Sequence, residues 1–197
     1  MKCISLQGAK LAGGNPKDER VEYDFYATDP KAVEKLLLKY SINGNKILEP
    51  CVGNGNIADT VKKFYKNETD ITGVDIVDRG YPNTIVQDFL TWKTDEKFEV
   101  IITNPPYKYA KEFVQHALDI SKEGTKVAMF LKVTFLEGKA RKELFKKYPP
   151  KTIYVFSSRV KCAKNGDFEI IGSSAVAYAW FVWVKGYNGD SIVKWVN

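Results

Sequence analysis

Cysteine and histidine are scarce in this chain of 197 residues, which has three cysteines and one histidine. Cys3, Cys51 and Cys162 are widely spaced and odd in number, so they fit neither a disulfide framework nor a zinc-binding pattern. We therefore predict no metal site and a reducing, cytoplasmic setting. The single histidine, His116, falls within an apolar helical pattern, which favours a structural role over a catalytic one.

Long apolar runs are also missing. The longest, Ala175–Val184, has ten residues, and a helix that spans a bilayer needs about 20. The first residues, Met1–Gly14, contain no apolar segment typical of a signal peptide, so we expect no membrane partner. A hydrophobic content of 44% suits one globular domain, which we place at 26–197, after a polar, flexible arm at 1–25.

The positive charge of the chain is unevenly distributed along the sequence. The formal net charge is +6, and residues 122–164 hold twelve Lys or Arg side chains against three Glu. A local basic excess favours a polyanionic partner, DNA or RNA. The alternative is a solvated helix face with no partner.

Short apolar strands and amphipathic helices alternate along the chain. Asp29 is placed to cap a helix that has Pro30 in its first turn and ends near residue 40. This rhythm predicts a doubly wound, mostly parallel α/β sheet, whose ligands bind beyond the carboxyl ends of the strands. The pattern predicts strands at 46–50, 71–76, 84–87, 99–103, 126–131, 152–156 and 178–184, and further helices at 56–66, 109–122 and 136–148.

A glycine-containing turn follows the first of these strands. Gly53 and Gly55 let the backbone turn sharply and approach a ligand, and Asp75 ends the next strand, where a carboxylate can accept both hydroxyls of a ribose. The glycine spacing also fits the dinucleotide fingerprint of dehydrogenases, or a tight turn without a ligand. Glu49, before the glycines, favours the ammonium of an amino-acid tail over a pyrophosphate.

The most specific motif is Asn104-Pro105-Pro106-Tyr107, which follows the strand predicted at 99–103. The side-chain oxygen of Asn104 and the carbonyl of Pro105 can both accept hydrogen bonds from a planar amino group. The two prolines stiffen the turn, and Tyr107 offers a face on which a base or amide can stack. The motif therefore predicts methylation of an exocyclic nitrogen.

Together these segments resemble the amino-methyltransferases that use S-adenosyl-L-methionine, above all the DNA N6-adenine group. The match runs from about Phe25 to Val184 and includes the leading motif Tyr26–Pro30. The resemblance implies a Rossmann-like class I methyltransferase fold, with a seven-stranded sheet and an antiparallel last strand. It implies a catalytic role for Asn104, Pro105, Pro106 and Tyr107, and cofactor contacts from Tyr26, Thr28, Glu49, Pro50, Gly53, Gly55, Asp75 (ribose), Ile76, and Asp88 with Phe89 (adenine).

The order of the motifs resembles family members in which target recognition follows the catalytic part. About thirteen residues follow Val184, so we expect no separate recognition domain. We expect target contacts from the loop Ser157–Val176, which holds Arg159, Lys161 and Lys164. The size resembles the compact adenine methyltransferases of phages and mobile elements.

Three alternative functions remain open at the level of sequence. An RNA adenine methyltransferase would have the same active site. A protein glutamine methyltransferase would present a similar planar amide, although its relatives carry an extra helical domain. The third alternative is a methyltransferase-like fold that only binds nucleic acid.

Overall fold

The structure is a computed structural model. It describes residues 26–42, 44–66, 68–160, 162–164 and 176–196, and for Cys162–Lys164 it describes the backbone alone. The arm predicted at 1–25 lies outside the described residues, as do Lys161 and most of the loop expected to contact the target.

Strands and helices alternate largely as predicted. Two short 3₁₀ helices, Tyr107–Tyr109 and Val133–Leu136, precede α3 and α4. The helices are α1 (Pro30–Lys39), α2 (Asn56–Phe64), α3 (Ala110–Ile120) and α4 (Lys139–Lys147). The strands are β1 (Tyr26–Thr28), β2 (Lys46–Glu49), β3 (Asp70–Asp75), β4 (Ile85–Val86), β5 (Val100–Thr103), β6 (Lys126–Lys132), β7 (Thr152–Phe156), β8 (Cys162–Lys164), β9 (Tyr178–Val184) and β10 (Ile192–Val196).

The main sheet has eight strands in the order β10-β7-β9-β6-β5-β2-β3-β4. Strand β9 runs antiparallel to both neighbours, β6 and β7, and the remaining pairs are parallel. The chain moves outward from β2 through β3 to β4 and then returns to β5 on the other side of β2. This reversal creates a switch point between β2 and β5, where ligands bind in doubly wound sheets.

The mostly parallel doubly wound sheet is confirmed, but the strand count and the position of the antiparallel strand are corrected. We expected seven strands with the antiparallel one last, whereas β10 follows β9 and pairs with β7 at the sheet edge. Four of the five residues of β10 are exposed. The strand therefore lacks the alternation of apolar and polar residues by which a half-buried strand is predicted. A separate two-stranded sheet of β1 and β8, also unpredicted, pairs Tyr26 with Lys164 and Thr28 with Cys162.

Large aromatic side chains fill both faces of the sheet around β9. Trp180, Phe181 and Trp183 are at most 1% exposed, as expected for core residues. The two indoles donate to backbone carbonyls, Trp180 to Ala32 (3.0 Å) and Trp183 to Tyr148 (3.0 Å), which satisfies their buried N–H groups. Burial of each such side chain stabilises the fold by about 2–3 kcal/mol.

Local signals account for the start of α1. The Asp29 carboxylate accepts a hydrogen bond from the backbone N–H of Lys31 (2.9 Å), and Pro30 occupies the first turn. Both features match the predicted cap. Among the described residues, no helix combines the length and apolar content that crossing a membrane requires.

Candidate active site

Three predicted site segments meet at one edge of the sheet: the glycine turn, the end of β3 and the Asn-Pro-Pro-Tyr turn. This edge, here called the carboxyl edge, is formed by the carboxyl ends of β2, β3, β5, β6 and β7 together with the start of β9. The glycine turn after β2 and the Asn-Pro-Pro-Tyr turn after β5 lie on either side of the switch point. This is the crevice in which a doubly wound sheet places its ligand.

The Asn104 side chain is held in one orientation by the leading segment. Its amide nitrogen Nδ2 donates to the backbone carbonyl of Tyr26 (2.9 Å), so the amide presents Oδ1 as its acceptor. Asn104 is half-buried, while the preceding Thr103 is fully buried in β5. The contact also joins β1 to the end of β5, so the short sheet of β1 and β8 helps to position the Asn104 side chain.

Tyr107 lies half-buried beside two side chains whose role the sequence did not reveal. Its ring centroid is 6.0 Å from that of Tyr178, and the Nζ of Lys132 lies 5.4 Å from the Tyr107 centroid. Lys132 and Tyr178 are register partners at the end of β6 and the start of β9. The one expectation that bears on this contact was an antiparallel strand near the end of the sheet. The antiparallel β9 brings its first residue, Tyr178, to the carboxyl edge.

The glycine turn is shaped by the protein's own packing as well as by any ligand. Gly53 and Gly55 have φ of +56° and +91°, in the left-handed region that glycine tolerates best. A Cβ on Gly55 would lie 2.4 Å from Cδ2 of the buried Tyr81. Gly55 is therefore required by the Tyr81 contact and the left-handed backbone.

Asp75 is locked in place at the end of β3. One carboxylate oxygen accepts from the N–H of Gly53 (2.8 Å) and the other from the N–H of Val77 (3.1 Å). Each carboxylate oxygen can accept a second bond, so ribose hydroxyls can still be bound. The next residue, Ile76, is 46% exposed and offers an apolar surface at the same edge.

Glu49 is a buried carboxylate that is only partly satisfied. It is 1% exposed, and its Oε2 has no hydrogen-bond partner among the described residues. Burial raises the pKa of the Glu49 carboxyl well above its usual value. A backbone hydrogen bond from Ala58, at the start of α2, lowers this pKa, and the nearby carboxylates of Asp75 and Asp59 raise it. A buried acid of this kind is suited to a cationic ligand group.

Thr28 has a similar unsatisfied group. Its side chain is 2% exposed, and its Oγ1 has no partner among the described residues. Buried polar atoms are nearly always paired in folded proteins. The unpartnered oxygens of Thr28 and Glu49 therefore fit a site that a polar, cationic ligand completes.

The structure does not support the predicted packing of Phe89 on an adenine ring. Phe89 is 2% exposed, and its ring centroid lies 5.2 Å from Phe113 and 4.7 Å from His116, so protein side chains enclose it. His116 in turn contacts the carbonyl of Trp92 (3.1 Å), in the structural role expected for it. Asp88 remains half-buried and accepts from the N–H of Leu90 (2.9 Å).

The described cations of the basic segment at 122–164 lie at both edges of the sheet rather than at one. Strands and helices that cross the sheet carry Lys122, Lys126 and Lys151 to the opposite, amino edge. Lys132, the last residue of β6, and Arg159, which follows β7, stay at the carboxyl edge. Only part of the predicted basic surface can therefore face a substrate at the candidate site.

No protein-family model matches the chain. It is 40% identical over 117 residues to the type II methyltransferase M.CvrRI of Paramecium bursaria Chlorella virus XZ-6E, a match that covers 54% of this chain and 30% of that protein. The matched part thus covers less than a third of the length of this curated relative. The resemblance to DNA methyltransferases predicted from the motifs is confirmed by this similarity.

Solved structures identify the fold. A protein of Listeria monocytogenes described as a class I S-adenosylmethionine-dependent methyltransferase superposes with a TM-score of 0.60 at 17% identity, covering 96% of this chain and 71% of its own. The methyltransferase subunit of a type I restriction-modification system from Streptococcus thermophilus gives 0.65 at 13% identity, covering 89% and 48%. The chain has the class I methyltransferase fold.

Proposed function

We propose that this chain transfers a methyl group from S-adenosyl-L-methionine to the exocyclic N6 of adenine in DNA. The observation that carries the proposal is the fixed amide of Asn104, whose nitrogen is bound to the Tyr26 carbonyl and whose oxygen is left to accept. The similarity to a viral type II methyltransferase and the nearby cations support a DNA substrate.

The residues present fit the cofactor. The unpartnered Oε2 of Glu49 suits the ammonium of the methionine portion, and the unpartnered Oγ1 of Thr28 suits a neighbouring polar group. Asp75 would hold the ribose hydroxyls, and exposed Ile76 would pack against the adenine. When bound, the cofactor supplies an electrophilic methyl group on a sulfonium.

The chain's own contribution to the reaction is alignment and electrostatics. The N6 lone pair of adenine is delocalised into the ring and is a poor nucleophile. Oδ1 of Asn104 and the carbonyl of Pro105 would accept both N6 hydrogens, which favours tetrahedral nitrogen and aims its lone pair at the methyl carbon. On methylation N6 would carry one surplus proton, and the same two acceptors would hold the N6 hydrogens until one proton passes to solvent water.

Tyr107 would stack on the extruded base. Base–aromatic stacking of this kind contributes ~1–3 kcal/mol, which offsets part of the few kcal/mol needed to take a base out of a duplex. Lys132, with its Nζ above the Tyr107 ring, adds positive charge beside the position proposed for the target. The three widely spaced cysteines favour a cytoplasmic setting for this activity.

The proposal is tested by a methyl-transfer assay with radiolabelled cofactor on duplex DNA, single-stranded DNA, RNA and a protein pool. Nucleoside analysis of the product should show N6-methyladenine from DNA. Label in RNA alone or in glutamine would assign one of the alternative substrates and overturn the DNA proposal. Calorimetry with S-adenosyl-L-methionine and with NAD separates an enzyme from a binding module and from a dehydrogenase.

A further inference from the structure

A polar cavity of about 280 Å³ lies next to the candidate active site. Its walls include Ser157, Ser158 and Arg159, which follow β7, and Tyr178, which starts β9. Because β9 is antiparallel, its start lies at the carboxyl edge together with the end of β7. The cavity therefore lies at the same edge of the sheet as the Asn-Pro-Pro-Tyr turn.

One side chain links this cavity to the proposed base position. Tyr178 lines the cavity, and its ring centroid lies 6.0 Å from that of Tyr107, the residue proposed to stack on the target base. Tyr178 is itself held by stacking on Phe130 (5.0 Å, 17° between the rings). A group bound in the cavity would therefore be next to the target on the strand.

The chemistry of the cavity wall favours an oxyanion. Arg159 is exposed and has no acidic partner among the described residues, two serine hydroxyls lie beside it, and no carboxylate is among the described residues that line the cavity. The forked guanidinium matches the geometry of a phosphate, and hydroxyls donate to phosphate oxygens. Half or more of protein–DNA hydrogen bonds go to the phosphates and sugars in this way.

We propose that this cavity binds a phosphodiester group flanking the target nucleotide, with Arg159 as its cation. The inference rests on the proposed function, because it presumes a nucleic-acid strand whose target base reaches Tyr107. Its role is to fix the position of the strand, and it carries no information on base sequence.

The test compares three variants in binding to a fluorescent 20-base-pair duplex, with S-adenosylhomocysteine present so that no methyl transfer occurs. Arg159→Gln removes the cation and Arg159→Lys keeps the charge but loses the fork. Lys151→Gln is the matched control, because it removes one charge at the amino-edge end of the same strand, β7. Anisotropy is measured from low to moderate NaCl concentration.

We expect Arg159→Gln to weaken binding about tenfold, as for loss of a charged hydrogen bond. The slope of log affinity against log salt should become shallower by about 0.9, the value for one duplex phosphate. Arg159→Lys should keep the slope and lose part of the affinity. Lys151→Gln should match the wild type, and all variants should bind S-adenosylhomocysteine equally without DNA.

Equal slopes for Arg159→Gln and the wild type would overturn the assignment of the cavity, and so would an equal loss in Lys151→Gln. Either result leaves the proposed function intact if the wild type methylates adenine in DNA. Failure of the wild type to methylate any DNA would overturn the proposed function, which the slopes do not measure. The two failures are therefore distinguishable.

Discussion

The two halves of the carboxyl edge carry opposite charge. At the ends of β2 and β3 lie the carboxylates of Glu49 and Asp75, which are 1% and 8% exposed. At the end of β6 lies the cation Lys132, and after the end of β7 lies Arg159, which is exposed. One edge of one sheet is thus divided by charge, which suits a cationic small molecule on one side and a polyanion on the other.

The two halves also differ in how firmly the charges are held. Backbone N–H groups of Gly53 and Val77 fix the buried Asp75 carboxylate, whereas Arg159 is exposed and has no acidic partner among the described residues. A buried, hydrogen-bonded charge loses little freedom when a ligand arrives, but it is costly to leave unpaired. Changes in the carboxylate half should therefore alter cofactor affinity and stability, and changes in the cationic half should alter salt dependence.

The largest effect is expected at the boundary, for Asn104→Ala. Loss of Oδ1 removes one of two acceptors that are proposed to act on the transferred nitrogen, so kcat should fall by about 10²–10³-fold. Cofactor affinity should change by less than about threefold, since Asn104 is on the target side of the switch point. Single-turnover methyl transfer and calorimetry measure the two quantities.

Asn188→Ala is the matched control for that change, because Asn188 is exposed at the amino edge between β9 and β10. It should leave both quantities unchanged. A near-normal kcat in Asn104→Ala would show that the Asn-Pro-Pro-Tyr turn has no catalytic role. The catalytic position would then not lie between the two halves of the carboxyl edge.

A smaller effect is expected for Glu49→Gln, which keeps the shape of the side chain and removes its charge. The dissociation constant of S-adenosyl-L-methionine should rise at least tenfold, because a buried carboxylate opposite an ammonium would be lost. Glu143→Gln, at an exposed carboxylate paired with Lys146 (2.9 Å), should bind the cofactor as the wild type does. Equal affinity in both variants would show that the cofactor tail lies elsewhere.

The pH dependence of stability should report on the same carboxylate. The pKa of Glu49 in the folded chain is raised well above its ordinary value of 4.5, so between these two values the folded state binds more protons than the unfolded state. The free energy of unfolding of the cofactor-free protein should therefore fall as pH rises from about 4.5 through the raised pKa of Glu49.

Glutamine is neutral at every pH, so Glu49→Gln should be more stable than the wild type at neutral pH, and the gap should close as pH falls toward 4.5. Urea unfolding at a series of pH values measures the difference between the two proteins. A constant difference across the whole range would mean that Glu49 does not carry the buried charge.

Features that depend on local contacts could be predicted from the sequence, and features that depend on distant contacts could not. The cap of α1 at Asp29 and the buried strand β9 were predictable, because capping residues and apolar runs act within a few residues. Strand β10 was not, since Ile192, Val193 and Trp195 are exposed and its pairing with β7 is a distant contact.

The candidate site shows the same limit. The motifs placed Asn104, Glu49 and Asp75 at one edge of the sheet, because strand ends are read from local sequence. The enclosure of Phe89 and the approach of Lys132 to Tyr107 depend on which side chains other elements bring near. No local pattern encodes such contacts.

The smallest effects are expected along α4, where the charge division can be followed over one helix. The helix starts after the carboxyl end of β6 and ends before the amino end of β7, so it runs from one edge of the sheet to the other. Lys139 and Lys142 lie in its first half, and Lys146 and Lys147 lie in its last turn, all exposed.

If the carboxyl edge faces DNA, proximity to that edge should decide which of these charges matters. Lys139→Gln and Lys142→Gln should each weaken DNA binding about twofold, a modest loss since exposed lysines are screened and pay side-chain entropy. Lys146→Gln and Lys147→Gln should change it by less than the experimental error. Equal losses along the helix, measured by anisotropy at low salt, would mean that DNA contacts the outer face of α4 rather than the carboxyl edge. The cations on the side of β6 and β7 would then serve solubility, and only the carboxylates of Glu49 and Asp75 would keep a role in ligand binding.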